Sequence, residues 1–325
     1  MHSLARAAAA ALALALTLLP AGGAFAQTWP AKPLRLIVPF PPGGPTDLVG
    51  RAAADILRED LGQPVIVDNR PGGNGTVGVG VLAKSAPDGY TIGLTAITLA
   101  TAPHLGPVPF DSLNDFSPIS NLVSMTPLIV ANPALPANNF TEFVAYARAN
   151  PGKLSYGTPG VATVPHLAAE MLQSAAGIKL VHVPYKGAAQ QIQDLLAGAT
   201  LVDFQSSLVI ALPQVNAGKL KPIAVLTPRR SQLLPDVPTV VESGYPAISV
   251  APWFGLGGPA GLPRESVARM NAALVKGMKS KEIVDRFNAI GATVHTSTPE
   301  EFAAYIRAEY NRWGEVIRKA GIKPE

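Results

Sequence analysis

The segment Leu34-Arg35-Leu36-Ile37-Val38-Pro39-Phe40-Pro41-Pro42-Gly43-Gly44-Pro45-Thr46-Asp47 constrains the fold more than any other stretch of the chain. Residues 34–38 form a short apolar run of the kind that a strand covered on both faces requires. Prolines at 39, 41 and 42 stop the strand and stiffen the loop after it. Gly43 and Gly44 carry no Cβ, so their backbone can approach a ligand closely. Pro45 suits the first position of a helix, where a backbone donor has no partner anyway. The spacing predicts strand, rigid turn, helix. A helix start left open in this way presents unpaired N–H groups and about half a positive charge. That suits a carboxylate or phosphate without any Lys or Arg. An ordinary tight strand-to-helix turn is the competing reading.

The same logic returns later. Residues 154–156 read as a short strand entering Gly157-Thr158-Pro159-Gly160-Val161-Ala162-Thr163, and helix 164–175 comes next with Leu167, Met171 and Leu172 on one face. Further strands are predicted at 64–69, 91–94, 181–183, 200–205, 221–227 and 253–256. Helices are predicted at 75–84, 142–149, 188–197, 263–278, 280–289 and 299–319. The apolar run 122–131 reads as one strand leaving the first domain. Strands alternating with helices argue for α/β architecture with parallel sheets.

Residues 1–26 read as a secretory signal peptide: Arg6, an apolar run over 7–19, and Ala24-Phe25-Ala26 as a small-x-small cleavage pattern. Gln27 is then the first mature residue. The apolar run is too short to anchor the chain in a bilayer, so an exported, soluble product is expected. Arg6 is the only charged residue removed, which takes the formal net charge from +4 to +3. The sequence contains no cysteine, which excludes thiolate metal sites, cysteine nucleophiles and a lipid-modified N-terminal cysteine. The small basic surplus is scattered and leaves no nucleic-acid footprint. The histidines at 104, 166, 182 and 295 lack the i, i+4 pairing of a helical metal site. Neither metal nor cofactor is expected.

Several side chains stand out. Gly73-Asn74-Gly75-Thr76-Val77-Gly78 matches the dinucleotide fingerprint, yet it follows the second strand of its unit and lacks the acidic residue about 20 positions on. A glycine-rich turn with close helix packing explains it better. Thr95, Thr98 and Thr101 lie beyond the third strand, where open α/β sheets bind ligands; turn or capping roles are the alternative. Thr158 and Thr163 can donate hydroxyls or cap the adjoining helix, and His166 sits in its first turn. Asp203 is a carboxylate in an apolar strand, which requires a partner. It either caps neighbouring backbone or reaches a cleft, with Gln205 at the strand's end. Asp47 and Arg51, at i, i+4, read as a helix-stabilising pair. Trp253 lines either the cleft or the core. Two similar blocks suggest two α/β lobes facing a central cleft, where small ligands bind. There is no Gly-x-Ser-x-Gly elbow and no other nucleophile–base spacing, so no catalytic residue is expected.

Ordered blocks along the mature chain resemble the Bug family, the extracytoplasmic solute-binding receptors of tripartite tricarboxylate transporters. They are Trp29-Pro30 through Pro41-Pro42-Gly43-Gly44 with Asp47 and Arg51; Asn69-Arg70-Pro71-Gly72; Pro87-Asp88-Gly89-Tyr90-Thr91; Phe110-Asp111 with Asp115-Phe116; Tyr156-Gly157-Thr158-Pro159-Gly160 with His166-Leu167; Val183-Pro184-Tyr185-Lys186-Gly187; Leu234-Pro235-Asp236-Val237-Pro238-Thr239 with Glu242 and Gly244; and Trp253-Phe254-Gly255. The resemblance implies a type II periplasmic-binding-protein fold, with lobe 1 over 27–127 plus 247–325 and lobe 2 over 128–246. It implies a periplasmic receptor that captures a small carboxylate (a di- or tricarboxylate, aromatic acid or amino acid) for the transporter's membrane subunits; a monomer is the default expectation. The same fold serving a signalling partner as a sensor is the alternative. One ligand carboxylate would be held mainly by backbone and hydroxyl groups of loops matching 40–44 and 158–163. In some members an acid at the position of Asp203 meets a ligand amine. The expected ligand set is therefore Phe40, Pro42, Gly43, Gly44, Thr98, Thr158, Pro159, Thr163, His166, Asp203 and Gln205. Val161-Ala162 replaces the usual Gly-rich, Asn/Ser-containing run, Pro165 replaces a small Gly, and the loop after Leu94 is shorter. These departures point toward an apolar or aromatic carboxylate.

Overall fold

The computed structural model describes residues 29–161, 163–205 and 207–321; the signal peptide and its cleavage point lie outside them. The described strands form two sheets. The first contains β1 (Leu34–Val38), β2 (Val65–Asn69), β3 (Thr91–Ala96), β4 (Phe116–Met125), β10 (Trp253–Pro259) and β11 (Ala292–Val294), in the order β11-β4-β10-β3-β1-β2. The second contains β5 (Leu128–Ala131), β6 (Ser155–Thr158), β7 (Val181–Pro184), β8 (Val202–Gln205) and β9 (Lys221–Val225), in the order β7-β6-β8-β5-β9. Each sheet holds a parallel triplet: β3-β1-β2 in the first and β7-β6-β8 in the second. Antiparallel strands complete both.

Helices link the strands: α1 (Pro45–Leu61), α2 (Thr76–Ala83), α3 (Thr98–Leu105), α4 (Phe140–Ala149), α5 (Val164–Ala176), α6 (Ala188–Ala197), α7 (Leu208–Asn216), α8 (Arg264–Met278), α9 (Lys281–Asn288) and α10 (Pro299–Ala320). β1 is apolar because it is covered: Leu34, Leu36, Ile37 and Val38 are all buried. Ile37 packs with Val79, Leu82, Leu99, Trp253 and Phe302 in one core. The second sheet's core unites Ile129, Tyr156, Leu167, Leu172 and Phe204. That core continues into Ala100 and Leu105 of α3 and into Trp313 and Ile317 of α10. Elements attached to the first sheet thus contribute to the core of the second.

The chain leaves the first sheet between Met125 and Leu128 and returns through 226–252. These two passages are tied together: Met125 N–H donates to Pro252 O at 2.8 Å, Leu226 N–H to Pro127 O at 3.0 Å, and Val250 N–H to Leu226 O at 2.7 Å. The run 122–131 is therefore two strands, β4 and β5, on different sheets. Pro127 lies between them and cannot donate to a ladder. The threonines at 98 and 101, expected in a loop, lie in α3, and α7 follows β8 where no helix is evident in the sequence pattern.

Candidate functional site

Nearly all the polar residues singled out in the sequence sit at or just beyond the carboxyl ends of the two parallel triplets. In the first turn, the Asp47 carboxylate is the organising group. It accepts from Gly43 N–H (3.0 Å), Arg51 Nε (2.8 Å) and Asn69 Nδ2 (3.0 Å). Burial alone would raise its pKa; Arg51, Gly43 and Asn69 outweigh that and hold it below the usual carboxylate range. Asn69 also donates to Phe40 O at 3.0 Å. The pairing of Asp47 with Arg51 is real, but it is part of a clamp on the 40–44 turn rather than only a helix-surface pair. The clamp occupies the Gly43 N–H. The N–H groups of Thr46 and Asp47, in the first turn of α1, have no intrahelical partner, and Gly44 at the N-cap gives no side-chain bond.

Phe40, Gly75 and Thr98 meet in one wall. A Cβ on Gly75 would lie 3.1 and 3.2 Å from the Phe40 ring and 3.2 Å from Thr98 Oγ1. The Thr98 hydroxyl is buried and donates to Asn74 O at 3.1 Å. Pro42 and Gly43 are exposed and Gly44 is half-buried. Gly78, the last glycine of the fingerprint-like run, is a packing residue: a Cβ there would sit 2.7 Å from both Arg70 O and Pro39 Cα. Sequence reasoning noted Asn69 and the glycine-rich turn at 73–75 but did not place either at the site. Parallel register brings Asn69 beside Val38, next to the loop it clamps.

In the second turn, the Thr158 hydroxyl is enclosed. It donates to Gly160 O at 3.0 Å and lies 2.7 Å from His182 Nε2. With its single proton given to Gly160 O, Thr158 accepts from His182, which sets that ring as the Nε2–H tautomer. Thr163 stands at the N-cap of α5 but donates to Gly160 O at 2.7 Å instead of capping. Pro159 is half-buried beside them. His166 is buried and stacks on His182 with centroids 4.1 Å apart, and His182 stacks on Tyr156 at 5.0 Å. Burial pushes both imidazoles down to about 4, and for His182 the neighbouring His166 adds to the shift. They are neutral packing rings at physiological pH.

Asp203 does not reach solvent. Its carboxyl accepts from Thr200 Oγ1 at 3.1 Å and Gln205 Nε2 at 3.3 Å, and the Gly157 backbone bonds to it as well. Burial pushes it up to about 8 against those three donors. Both of its carboxyl oxygens are thereby engaged within the protein, Oδ1 by Thr200 and Oδ2 by Gln205. Gln205 is equally enclosed and serves Asp203. Trp253 belongs to the core, edge-on to Phe302 at 5.6 Å and to Tyr305 at 5.7 Å. Two hollows of about 460 and 500 Å³ lie elsewhere, one against α1, α8 and α9 and one at the start of α4. Neither contains a residue of the expected ligand set.

The carboxyl edge differs from the rest of the fold in its helix ends. The helices that start at the carboxyl ends of the parallel triplets, α1, α2, α3, α5, α6 and α7, all begin without a side-chain cap bond. The described helices that are capped start elsewhere: α4 by Asn139, α9 by Ser280 and α10 by Thr298 with a full capping box. Positive helix ends are gathered along one edge of each sheet, although α8, which starts elsewhere, is uncapped as well.

Residues 49–322 match the family model described as the tripartite tricarboxylate transporter family receptor. The chain belongs to this receptor family. The BugT protein of Bordetella pertussis is 36% identical over 301 residues, covering 92% of each chain. A solved R. palustris protein with adipate superposes with a TM-score of 0.84 at 31% identity, covering 91% of this chain and all of that one. MatC from Rhodopseudomonas palustris with bound malate gives 0.80 at 30% identity, covering 89% and 100%. The chain shares the two-lobed α/β architecture of this family of periplasmic solute-binding receptors. They are receptors, not enzymes. No helix among the described residues is long and apolar enough to cross a membrane, and no group of three or more His, Cys, Asp or Glu among them could hold a metal ion.

Proposed function

We propose that this receptor captures a small carboxylate between the 40–44 turn and the 158–163 turn and delivers it, as a monomer, to the membrane subunits of a tripartite tricarboxylate transporter. Lobe 1 comprises 27–127 with 247–325, and lobe 2 comprises 128–246. The uncapped helix starts along the carboxyl edges of both parallel triplets carry this reading. Main-chain N–H groups of Gly44, Thr46 and Asp47 from one side, and of Val164 from the other, do the work usually expected of cationic side chains. Each helix start contributes roughly 0.3–1 kcal/mol when exposed and up to ~2 kcal/mol when partly buried. Each N–H bond to the charged ligand adds about 1.5–3 kcal/mol. A few such bonds reach micromolar affinity, about −8 kcal/mol, after ordering losses. The relatives seen with adipate and with malate are consistent with this ligand class.

Thermal unfolding of mature protein with mono-, di- and tricarboxylates, aromatic acids and amino acids tests the reading. A ligand at 100 times its dissociation constant stabilises by about 2.7 kcal/mol. A rise in midpoint with at least one carboxylate, and none with its neutral amide, is expected. Equal shifts with acid and amide would remove the anion site from the account.

A further inference from the structure

Asp203 lies on β8 between Gly157 of β6 and Val130 of β5. Val130 belongs to an apolar core with Ile192 and Leu195 of α6 and Leu208 of α7. A Cβ on Gly157 would collide with the Asp203 carboxyl, so the acid is pressed against the residue that opens the second turn. The titratable groups facing it are Tyr185, from the turn after β7, and Asp194 of α6, which acts on it as a like charge. β5 and α7 carry no titratable residue. Tyr156, His182, His166 and Glu170 pack together on the opposite face of the sheet, and Lys186, beside Tyr185, is exposed. A fully enclosed carboxylate without a counter-charge is costly, and the group takes a proton instead; burial pushes it up to about 8.

The hydrogen bonds fix where that proton goes. Gly157 N–H and Gln205 Nε2 can only donate to the carboxyl. The Thr200 hydroxyl, 3.1 Å from Oδ1, can also accept. With Asp203 neutral, its O–H donates to Thr200, Thr200 donates to the Tyr185 hydroxyl, and Tyr185 donates to Asp194. Tyr185 is itself tied to the second turn, its N–H donating to Thr158 O at 3.0 Å. Loss of the proton reverses the Thr200 bond and sets a negative charge beside Gly157.

We propose that Asp203 is a proton-carrying positioning residue that makes the second turn a pH switch: the neutral acid keeps the turn ready for a carboxylate, and its ionisation drives the anion out. This deepens, and rests on, the carboxylate reading of that turn. Repulsion between the ionised acid and the bound anion supplies the coupling, and by reciprocity a bound anion keeps the proton on Asp203 to higher pH.

Isothermal titration of the mature protein with succinate, malate, adipate and benzoate from about pH 6.5 to about pH 9.5 reads the switch, because these acids stay ionised throughout. At least one is expected to bind, with its dissociation constant rising about fivefold or more across the range. Asp203→Asn, which keeps the shape and a donor for Thr200 but cannot ionise, should bind and give a flat profile. Tyr185→Phe, which removes the acceptor for Thr200, should move the rise to lower pH. Infrared spectra of ligand-free wild type follow the proton itself, as a protonated-carboxyl band that fades through about pH 8 and is missing from Asp203→Asn. A flat profile in wild type, a rise that survives in Asp203→Asn, or no such band overturns the switch and leaves the carboxylate reading intact. Binding of none of the four acids at any pH removes the carboxylate reading, and the switch with it.

Discussion

Asn69 stands between Asp47 and the backbone of Phe40, its Nδ2 lying 3.0 Å from Asp47 Oδ1 and 3.0 Å from Phe40 O. One amide thus joins the end of β2, the start of α1 and the turn that follows β1. The turn's shape depends on a residue 29 positions away in the chain. The clamp holds the turn's N–H groups in place before a ligand arrives, which lowers the ordering cost of binding.

Asn69→Ala removes both bonds and frees the turn. Carboxylate affinity is expected to fall by about tenfold, roughly 1.4 kcal/mol, with only a small drop in unfolding midpoint. Titration of the variant beside wild type checks this. Asn69→Asp is expected to be worse, because it sets a second carboxylate against Asp47 and supplies no donor to Phe40 O.

Gly78→Ala tests the packing role of the fingerprint-like run. The added methyl meets two backbone atoms, Arg70 O and Pro39 Cα, that cannot swing aside. A loss of about 1–3 kcal/mol is expected from overpacking, read as a lower midpoint in chemical denaturation. A nucleotide-binding role would show instead as unchanged stability and lost nucleotide binding.

The strand–turn–helix units at 34–61 and 155–176 were legible because each combines an apolar run, breakers at the turn and a periodic helix. Helix Ala188–Ala197 matches its expected bounds for the same reason. α3 and α7 were not legible: Pro103 and Pro213 sit inside them, and local propensity argues against both. Tertiary packing overrides it, with Leu99 and Leu208 buried. The positions of the site threonines could be read from sequence, but not the direction of their hydroxyls. Thr158 and Thr163 point to a carbonyl of their own turn and Thr98 to Asn74 O in the neighbouring 73–75 turn, and that outcome depends on loop geometry that no spacing encodes.

Trp313 extends the second lobe's core into α10. Its indole N–H donates to Glu309 at 3.0 Å, and Arg312 bridges Glu309 at 3.1 Å to Ser249 O at 2.7 Å. Trp313→Ala is expected to destabilise by about 3–5 kcal/mol. Because the core is shared, calorimetry should show one cooperative transition moved to lower temperature. Two separated transitions would mean that the lobes unfold independently.

Stability should peak near pH 6.5, from two buried groups, His166 and Asp203, and the half-buried His182 at and beside the second turn. His166 and His182 drop from 6.5 to about 4 on folding, so between those values the unfolded chain binds two protons that the native state does not. Asp203 rises from 3.8 to about 8, so across that window the native state holds one proton that the unfolded chain has lost. Stability rises with pH wherever the unfolded state binds more protons. From about 4 to 6.5 the two histidines outweigh Asp203, with His295, also lowered by burial, acting in the same direction, and stability climbs; from 6.5 to 8 Asp203 dominates, and stability falls. Denaturant midpoints measured from pH 4 to 9 check the shape. Asp203→Asn is expected to flatten the alkaline limb and leave the acid limb in place, whereas His182→Gln should make the acid limb shallower without touching the alkaline one.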